Sequence, residues 1–195
     1  VVAGSREALR RNPILVGYAE ARSPLCLDRN MAEILIENVR QGFPQSLDTM
    51  PNGGATAPIT PAGTLALGVA EALGGLVLGY AIDENAVMSV DVCPSICDMR
   101  TGLYPYSSPE RWNVVVATTQ MITDYYRRPG GCHGGKTDAC QPGVQAGVEA
   151  ILGAIAGSYT ADEEDADEFE GTAAVFMLFL FVLFNLFSFL AAPAE

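Results

Sequence analysis

Basic residues are scarce in this sequence. Its 195 residues include 11 Lys and Arg against 23 Asp and Glu, and no Lys or Arg follows Lys136. Nucleic-acid binding needs clustered Lys and Arg, so that class of function is excluded. Histidine occurs once, at His133. A lone histidine is more often a satisfied structural residue than a catalyst. The five cysteines, at positions 26, 93, 97, 132 and 140, are odd in number and contain no C-x-x-C. That usage argues for reduced thiols in a cytoplasm and against a disulfide framework. Cys132, His133 and Cys140, taken with Cys93 and Cys97, fit no zinc spacing, so the reading is small buried thiols and no metal. Val1–Arg11 has no apolar run of the kind a signal peptide needs, and the first residue is Val. The expectation is a segment of something longer.

What is present is unevenly distributed. Seven of the eight Phe and eight of the acidic residues lie beyond residue 160, leaving 15 acids against 11 bases before it. This divides the chain into an ordinary domain over 1–157, an acidic linker over 158–172 and an apolar helix over 173–192. The linker reads ADEEDADEFEGT, a solvated composition. The apolar segment AAVFMLFLFVLFNLFSFLAA has only Asn185 and Ser188 as polar residues and is long enough to span a bilayer. No basic residue flanks it to set an orientation. A membrane anchor and a shifted reading frame both account for it, so a cytoplasmic location is expected, with anchoring through 173–192 as the alternative.

The stretch GGCHGGKT, Gly130 to Thr137, fits the phosphate-loop pattern G-x-x-x-x-G-K-[ST]. A phosphate loop follows an apolar strand and opens directly into a helix. Here TDYYRRP precedes it, and Pro142 would interrupt a helix started at Lys136. The expectation is a Gly-rich turn after a short strand, with no nucleotide bound.

Between residues 13 and 156 strand and helix signals alternate. PILVGYAEA, from Pro13, reads as a buried strand. Asn30 with Glu33 makes a capping box for the helix MAEILIENVRQ, which stops at Gly42. PQSLDT, from Pro44, is a weaker strand. Thr60 caps a helix whose first residue is Pro61. This helix, AGTLALGVAEALGGLVLGYAI, is apolar all round, as a packed interior helix or a membrane span would be. Asp83, Glu84 and Asn85 form a turn, and AVMSVDV is the third strand. Ser108 and Pro109 open the helix PERWNVVVATTQMITDYYRR. GGCH is a short fourth strand, and Pro142 opens the last helix, PGVQAGVEAILGAIAG. Repeated βα units mean a parallel sheet in an α/β fold. Four units are too few to close a barrel, so the choice lies between an open doubly wound sheet and part of a (β/α)8 barrel.

In both architectures ligands bind at the carboxyl ends of the strands. The polar residues collected there are Asp48, Thr49 and Asn52; Asp91, Asp98 and Arg100; and His133, Lys136 and Asp138. Each has a structural alternative: Asp98 and Arg100 can bridge within their own loop, and Asp138 can cap a turn. Their common position favours a site.

The segments RRNPILVGYAEARSPLCLD (Arg10–Asp28), PNGGATAPITPAGTLALGVAEALGGLVL (Pro51–Leu78), SICDMRTGLYPYSSPE (Ser95–Glu110) and GGKTDACQPGVQAGVEA (Gly134–Ala150) resemble the trimethylamine methyltransferase family. The resemblance covers about 1–157, with the motifs in the same order. It implies four βα units of a partial (β/α)8 TIM barrel. It also implies transfer of a methyl group from a tertiary or quaternary methylamine, of the trimethylamine or glycine betaine type, to the cobalt of a corrinoid. That corrinoid is carried by a separate protein and is not bound covalently here. Some members contain pyrrolysine; this sequence has none. Gly134, Gly135, Thr137 and Asp138 resemble the family's Gly-rich, Thr-Asp-bearing loop, and Gln145 and Glu149 fit its pattern. Cys140 stands where a Lys often follows the Asp-Ala pair, and Gly143 where a later Asp falls. These departures bear on which amine is used. A methylammonium cation calls for carboxylates or aromatic faces. The expected substrate-binding residues are therefore Asp91, Asp98, Arg100, Tyr104, His133, Asp138 and Gln145, with Tyr106 as a second π face; no catalytic residue is assigned. The expected partners are a methylated amine and a corrinoid protein; a homo-oligomer is left open. The alternative reading is a non-catalytic, membrane-anchored βα binding module or an inactive fragment.

Overall fold

The computed structural model describes residues 4–132 and 134–157. His133 and the segments at 158–172 and 173–192 lie outside the described residues.

Four strands form one parallel sheet: β1 (Gly17–Ala21), β2 (Gln45–Thr49), β4 (Met88–Val92) and β6 (Gly130–Gly131), in the spatial order β1-β2-β4-β6. Two short strands, β3 (Asn52–Gly53) and β5 (Ser95–Ile96), pair in parallel just beyond β2 and β4. The helices are α1 (Arg6–Arg11), α2 (Arg29–Arg40), α3 (Pro61–Ile82), α4 (Pro109–Gln120) and α5 (Val144–Gly157). A π-helical turn, Met121–Tyr125, extends α4. The strand order follows the chain without reversal. Doubly wound sheets reverse their order at a switch point, so this is a mixed α/β arrangement wound in one direction.

Local chemistry explains where most elements start. Thr60 Oγ1 accepts the Gly63 N–H at 3.2 Å with Pro61 in the first turn, and Ser108 Oγ accepts the Arg111 N–H at 3.2 Å ahead of Pro109. The Asp83–Asn85 turn is closed by the Asp83 carboxylate on the Asn85 N–H at 2.9 Å. Three starts differ from expectation. The cap of α2 is Asp28, which accepts the Met31 N–H at 3.1 Å, and not Asn30. Met31, Leu35 and Val39, four residues apart, lie on the face of α2 that packs inward. Helix α5 begins at Val144, two residues after Pro142, with the Gly143 carbonyl accepting the Gly147 N–H. The third difference is larger. Ile14, Leu15 and Val16 are 56%, 65% and 62% exposed and precede the strand instead of forming it. Pairing begins at Gly17 with Gln45, because the neighbouring strand starts only after Pro44. The segment read as the weaker strand, β2, is buried along its whole length at the centre of the sheet.

The core lies on one face of that sheet. Ala19, Leu47, Met88, Val90 and Val92 pack with Leu35 and Val39 of α2, Val69, Ala72 and Leu76 of α3, and Ile122 of the π turn. Contact with α3 is close enough to require glycine: a Cβ on Gly75 would overlap Leu47 Cδ2. Among the described residues α3 is the helix long and apolar enough to cross a membrane. Here it is a core helix, with Gly68, Gly75 and Gly79 set against Val92, Leu47 and Met88. Its buried Glu71 accepts from the Ser23 hydroxyl and the Leu25 N–H, both at 2.8 Å. Gly130 serves β6 in the same way, since a Cβ there would overlap the Val90 carbonyl.

Candidate functional site

Strand alternation sends neighbouring residues to opposite faces. With Ala19, Ala21, Leu47, Val90 and Val92 on the helix side, Tyr18, Glu20, Ser46, Asp48, Ser89 and Asp91 fall on the other. The register then aligns them. Tyr18, Ser46 and Ser89 share one level, and Glu20, Asp48 and Asp91 the next. Each of the three acids is the penultimate residue of its strand. Adjacent strands are about 4.8 Å apart, so three carboxyl groups stand side by side across the carboxyl-terminal end of the sheet.

The row is tied down by donors. Asp91 accepts the Ser46 hydroxyl at 2.8 Å and the Gly131 N–H at 3.0 Å, which anchors it to both neighbouring strands. The Tyr18 hydroxyl donates to Glu20 at 3.0 Å. Burial, the bond to Glu20 and the charge of Asp48 all push the Tyr18 pKa up, so this phenol stays a proton donor. Asp48, in the middle, is 1% exposed. Of these residues the expected site included Asp91. It omitted Glu20 and left Asp48 among the general polar set. The available signal was the repeated placement of one acid before the last residue of three strands, in YAEA, SLDT and SVDV.

The remaining expected residues serve other positions. Asp98 accepts the Arg100 N–H at 2.9 Å and the Thr101 hydroxyl at 3.1 Å, and pairs with the Arg100 guanidinium at 3.6 Å. The Arg100 N–H, then the Thr101 hydroxyl, hold its carboxyl below the usual range. These bonds all lie within the turn that also joins Asp98 to Leu103, and the Arg100 side chain is 90% exposed. Tyr104 is 43% exposed. Asp138 accepts the N–H groups of Tyr106 and Ser107 at 2.8 and 2.9 Å. Gln145 donates to Glu149 at 2.8 Å. Glu149 also accepts from the Thr137 hydroxyl at 2.6 Å, the Ser107 hydroxyl at 3.1 Å and the Asp138 N–H at 2.9 Å. The Thr137 hydroxyl, then the Gln145 amide, lead in lowering its carboxyl to about 2. Asp138, Gln145 and Glu149 therefore clamp the loop before α4 to the loop before α5.

Two cations, Arg111, which the expected site left out, and Lys136, converge on the Tyr106 ring. Arg111 is 2% exposed and donates to the Tyr106 carbonyl at 3.1 Å. Its guanidinium sits 5.3 Å from the Tyr106 ring centre, and the Lys136 ammonium lies 4.8 Å from the same ring. The Tyr106 ring thus already carries two cations and is poorly placed to receive a third. The Gly-rich stretch does not open a helix: β6 has two residues, and α5 begins eight residues after Lys136.

A carboxylate row at strand ends can attract and orient a small cation. The family profile described as trimethylamine methyltransferase (MTTB) matches residues 1–161. A trimethylamine methyltransferase of Desulfitobacterium hafniense is 33% identical over 151 residues, covering 77% of this chain and 30% of that protein. The trimethylamine methyltransferase of Methanosarcina barkeri is 31% identical over 161 residues, 80% of this chain and 32% of its own length. A glycine betaine methyltransferase of Desulfitobacterium hafniense is 28% identical over 160 residues, covering 82% of this chain and 33% of that protein. The chain spans about a third of the length of the curated relatives it matches.

Proposed function

The chain belongs to the trimethylamine methyltransferase family, and from that premise we propose that it is part of a methyltransferase that takes a methyl group from a tertiary or quaternary methylamine. The acceptor is the cobalt of a corrinoid carried by a separate protein. The four parallel βα units are an arc of a (β/α)8 barrel, with α2 and α3 on its outer wall and Glu20, Asp48 and Asp91 facing its lumen.

The observation that carries this reading is the carboxylate row at the strand ends. A methylammonium ion cannot donate through its methyl groups, so charge and shape are the means of holding it. Glu20, Asp48 and Asp91 supply the charge, and the bonds from Tyr18, Ser46 and Gly131 fix Glu20 and Asp91 in place. The ammonium loses its positive charge as the methyl leaves, so the carboxylates favour the bound substrate more than the transition state. Their task is capture and orientation toward the acceptor, not acceleration by charge. The corrinoid supplies the methyl-accepting chemistry when its carrier docks at the strand-end mouth.

The test uses the full-length enzyme with quaternary and tertiary methylamines and a corrinoid protein, following the demethylated amine. Asp48→Asn and Asp91→Asn should each raise KM by about tenfold, the equivalent of roughly 1.4 kcal/mol of lost attraction. Their kcat should change less than their KM. Unchanged transfer in both variants would remove the acidic row from the site.

A further inference from the structure

Helix α5 carries its large side chains on the outside. Its small residues Ala146, Ala150, Gly153 and Ala156 are buried, and α5 packs against α4. Its large apolar residues, Val144, Val148, Ile151, Leu152 and Ile155, are between 37% and 76% exposed. At 3.6 residues per turn these five fall within one arc of about 100°, the width of a stripe that ordinarily faces a core. No charge interrupts the arc. The one acid of the helix, Glu149, is turned away to Ser107, Thr137 and Asp138. A continuous exposed apolar face of this kind marks an interaction surface. The family match stops at residue 161, but the chain runs on through the acidic linker and the apolar segment at 173–192.

We propose that this face is the docking surface for the chain's own apolar segment, residues 173–192, laid along α5 as a helix. Complementary need is the first argument. The segment has only Asn185 and Ser188 as polar residues, so it must be buried, and the α5 stripe must be covered. Reach is the second. Residues 158–172 make a polar linker of 15 residues, which spans on average about 21 Å. Helix α5, with 14 residues, is about 21 Å long. The segment can therefore begin at either end of the stripe, and as a helix of about 30 Å it covers the whole of it. The tether is the third. It holds the segment at an effective concentration of about millimolar, which a second copy in solution does not match. Charge disfavours a lipid surface instead. The linker carries seven acids, and no Lys or Arg follows Lys136, so the approach to anionic headgroups is repulsive. Docking on α5 buries the same apolar residues without that approach. This inference does not depend on the methyl-transfer reading.

The experiment replaces Val148 of the full chain with a photoreactive benzophenone amino acid. The protein is irradiated with vesicles of phosphatidylcholine and phosphatidylglycerol, and the products are sized, digested and mapped by mass. The expected product is a link from position 148 to a peptide of 173–192 within a single chain. Its yield should be at least about tenfold above that of the same probe replacing Val77, which is exposed on α3. With the probe moved to Leu152, Val148→Glu should lower the link to 173–192 at least about fivefold, because docking would then bury a charge. Circular dichroism reports whether that variant folds, and the comparison of positions 148 and 77 stands without it. Adducts to lipid, links to a second copy, or equal yields at positions 148 and 77 would each overturn the proposal, as would a link undiminished in folded Val148→Glu.

Discussion

The two faces of the sheet are made by the same three five-residue strands, yet they share almost no chemistry. One face presents Ala19, Ala21, Leu47, Met88, Val90 and Val92 to the helices. Its polar members, Gln45 and Thr49, are bonded to Asn38 of α2 and to the Gly68 carbonyl of α3. The other presents Tyr18, Glu20, Ser46, Asp48, Ser89 and Asp91. A shift of one residue along any strand would exchange the two. Stability and chemistry are therefore interleaved at every second position, and neighbours such as Leu47 and Asp48 should respond to mutation in opposite ways.

The strongest way to break this division is at Leu47, 1% exposed at the centre of the core. Leu47→Ala should destabilise the chain by about 2–5 kcal/mol in a denaturant titration, the range for a buried leucine left as a cavity. A loss below about 1 kcal/mol would mean the helix face is not the main core. Next is Gly75→Ala, which pushes a methyl into Leu47 Cδ2 from the opposite side. Overpacking of this kind costs about 1–3 kcal/mol, and a smaller partner at 47 should relieve it. A double-mutant cycle with Leu47→Val would show that coupling, and strict additivity would refute it.

The other face is sharpened by Asp48→Asn. Its unfolding free energy should stay within about 1 kcal/mol of the parent, because the shape is kept and a buried carboxylate is removed. Substrate KM should rise by about tenfold instead. Loss of folding without any specific effect on KM would make Asp48 a structural residue. The smallest effect belongs to the loop clamp. The Glu149 carboxyl is lowered from 4.5 to about 2, so its contribution is present in full above about pH 4.5 and is lost as the pH falls toward 2. Amide exchange at Tyr106, Ser107 and Asp138, expressed relative to the intrinsic rate at each pH, should quicken across that window. Glu149→Gln should quicken it at neutral pH and flatten the dependence; an unchanged profile in that variant would assign the effect to another acid.

Signals confined to a few neighbouring residues could be read directly. Thr60-Pro61 and Ser108-Pro109 start helices because the cap and the first-turn proline act within three residues. The Asp83 turn is equally local. What failed depended on a partner elsewhere in the chain. Ile14, Leu15 and Val16 have strand-forming side chains but no neighbouring strand at their level. Asp28 and Asn30 are similar capping residues, and local composition does not separate them. The pairs β3 and β5 are two residues each, too short to leave a pattern.

The sequence by itself determined that parallel βα units would form, where most helices begin and which family the chain resembles. These follow from caps, periodicity and motif order, which are properties of contiguous residues. Tertiary structure decided that Glu20, Asp48 and Asp91 stand at one level. It also decided that Asp138 and Glu149 clamp two loops, and that Arg111 sits beside Cys132. The first depends on strand register, fixed by packing between residues 20 to 50 positions apart, and the others on contacts between separate loops and elements, relations that no local pattern encodes.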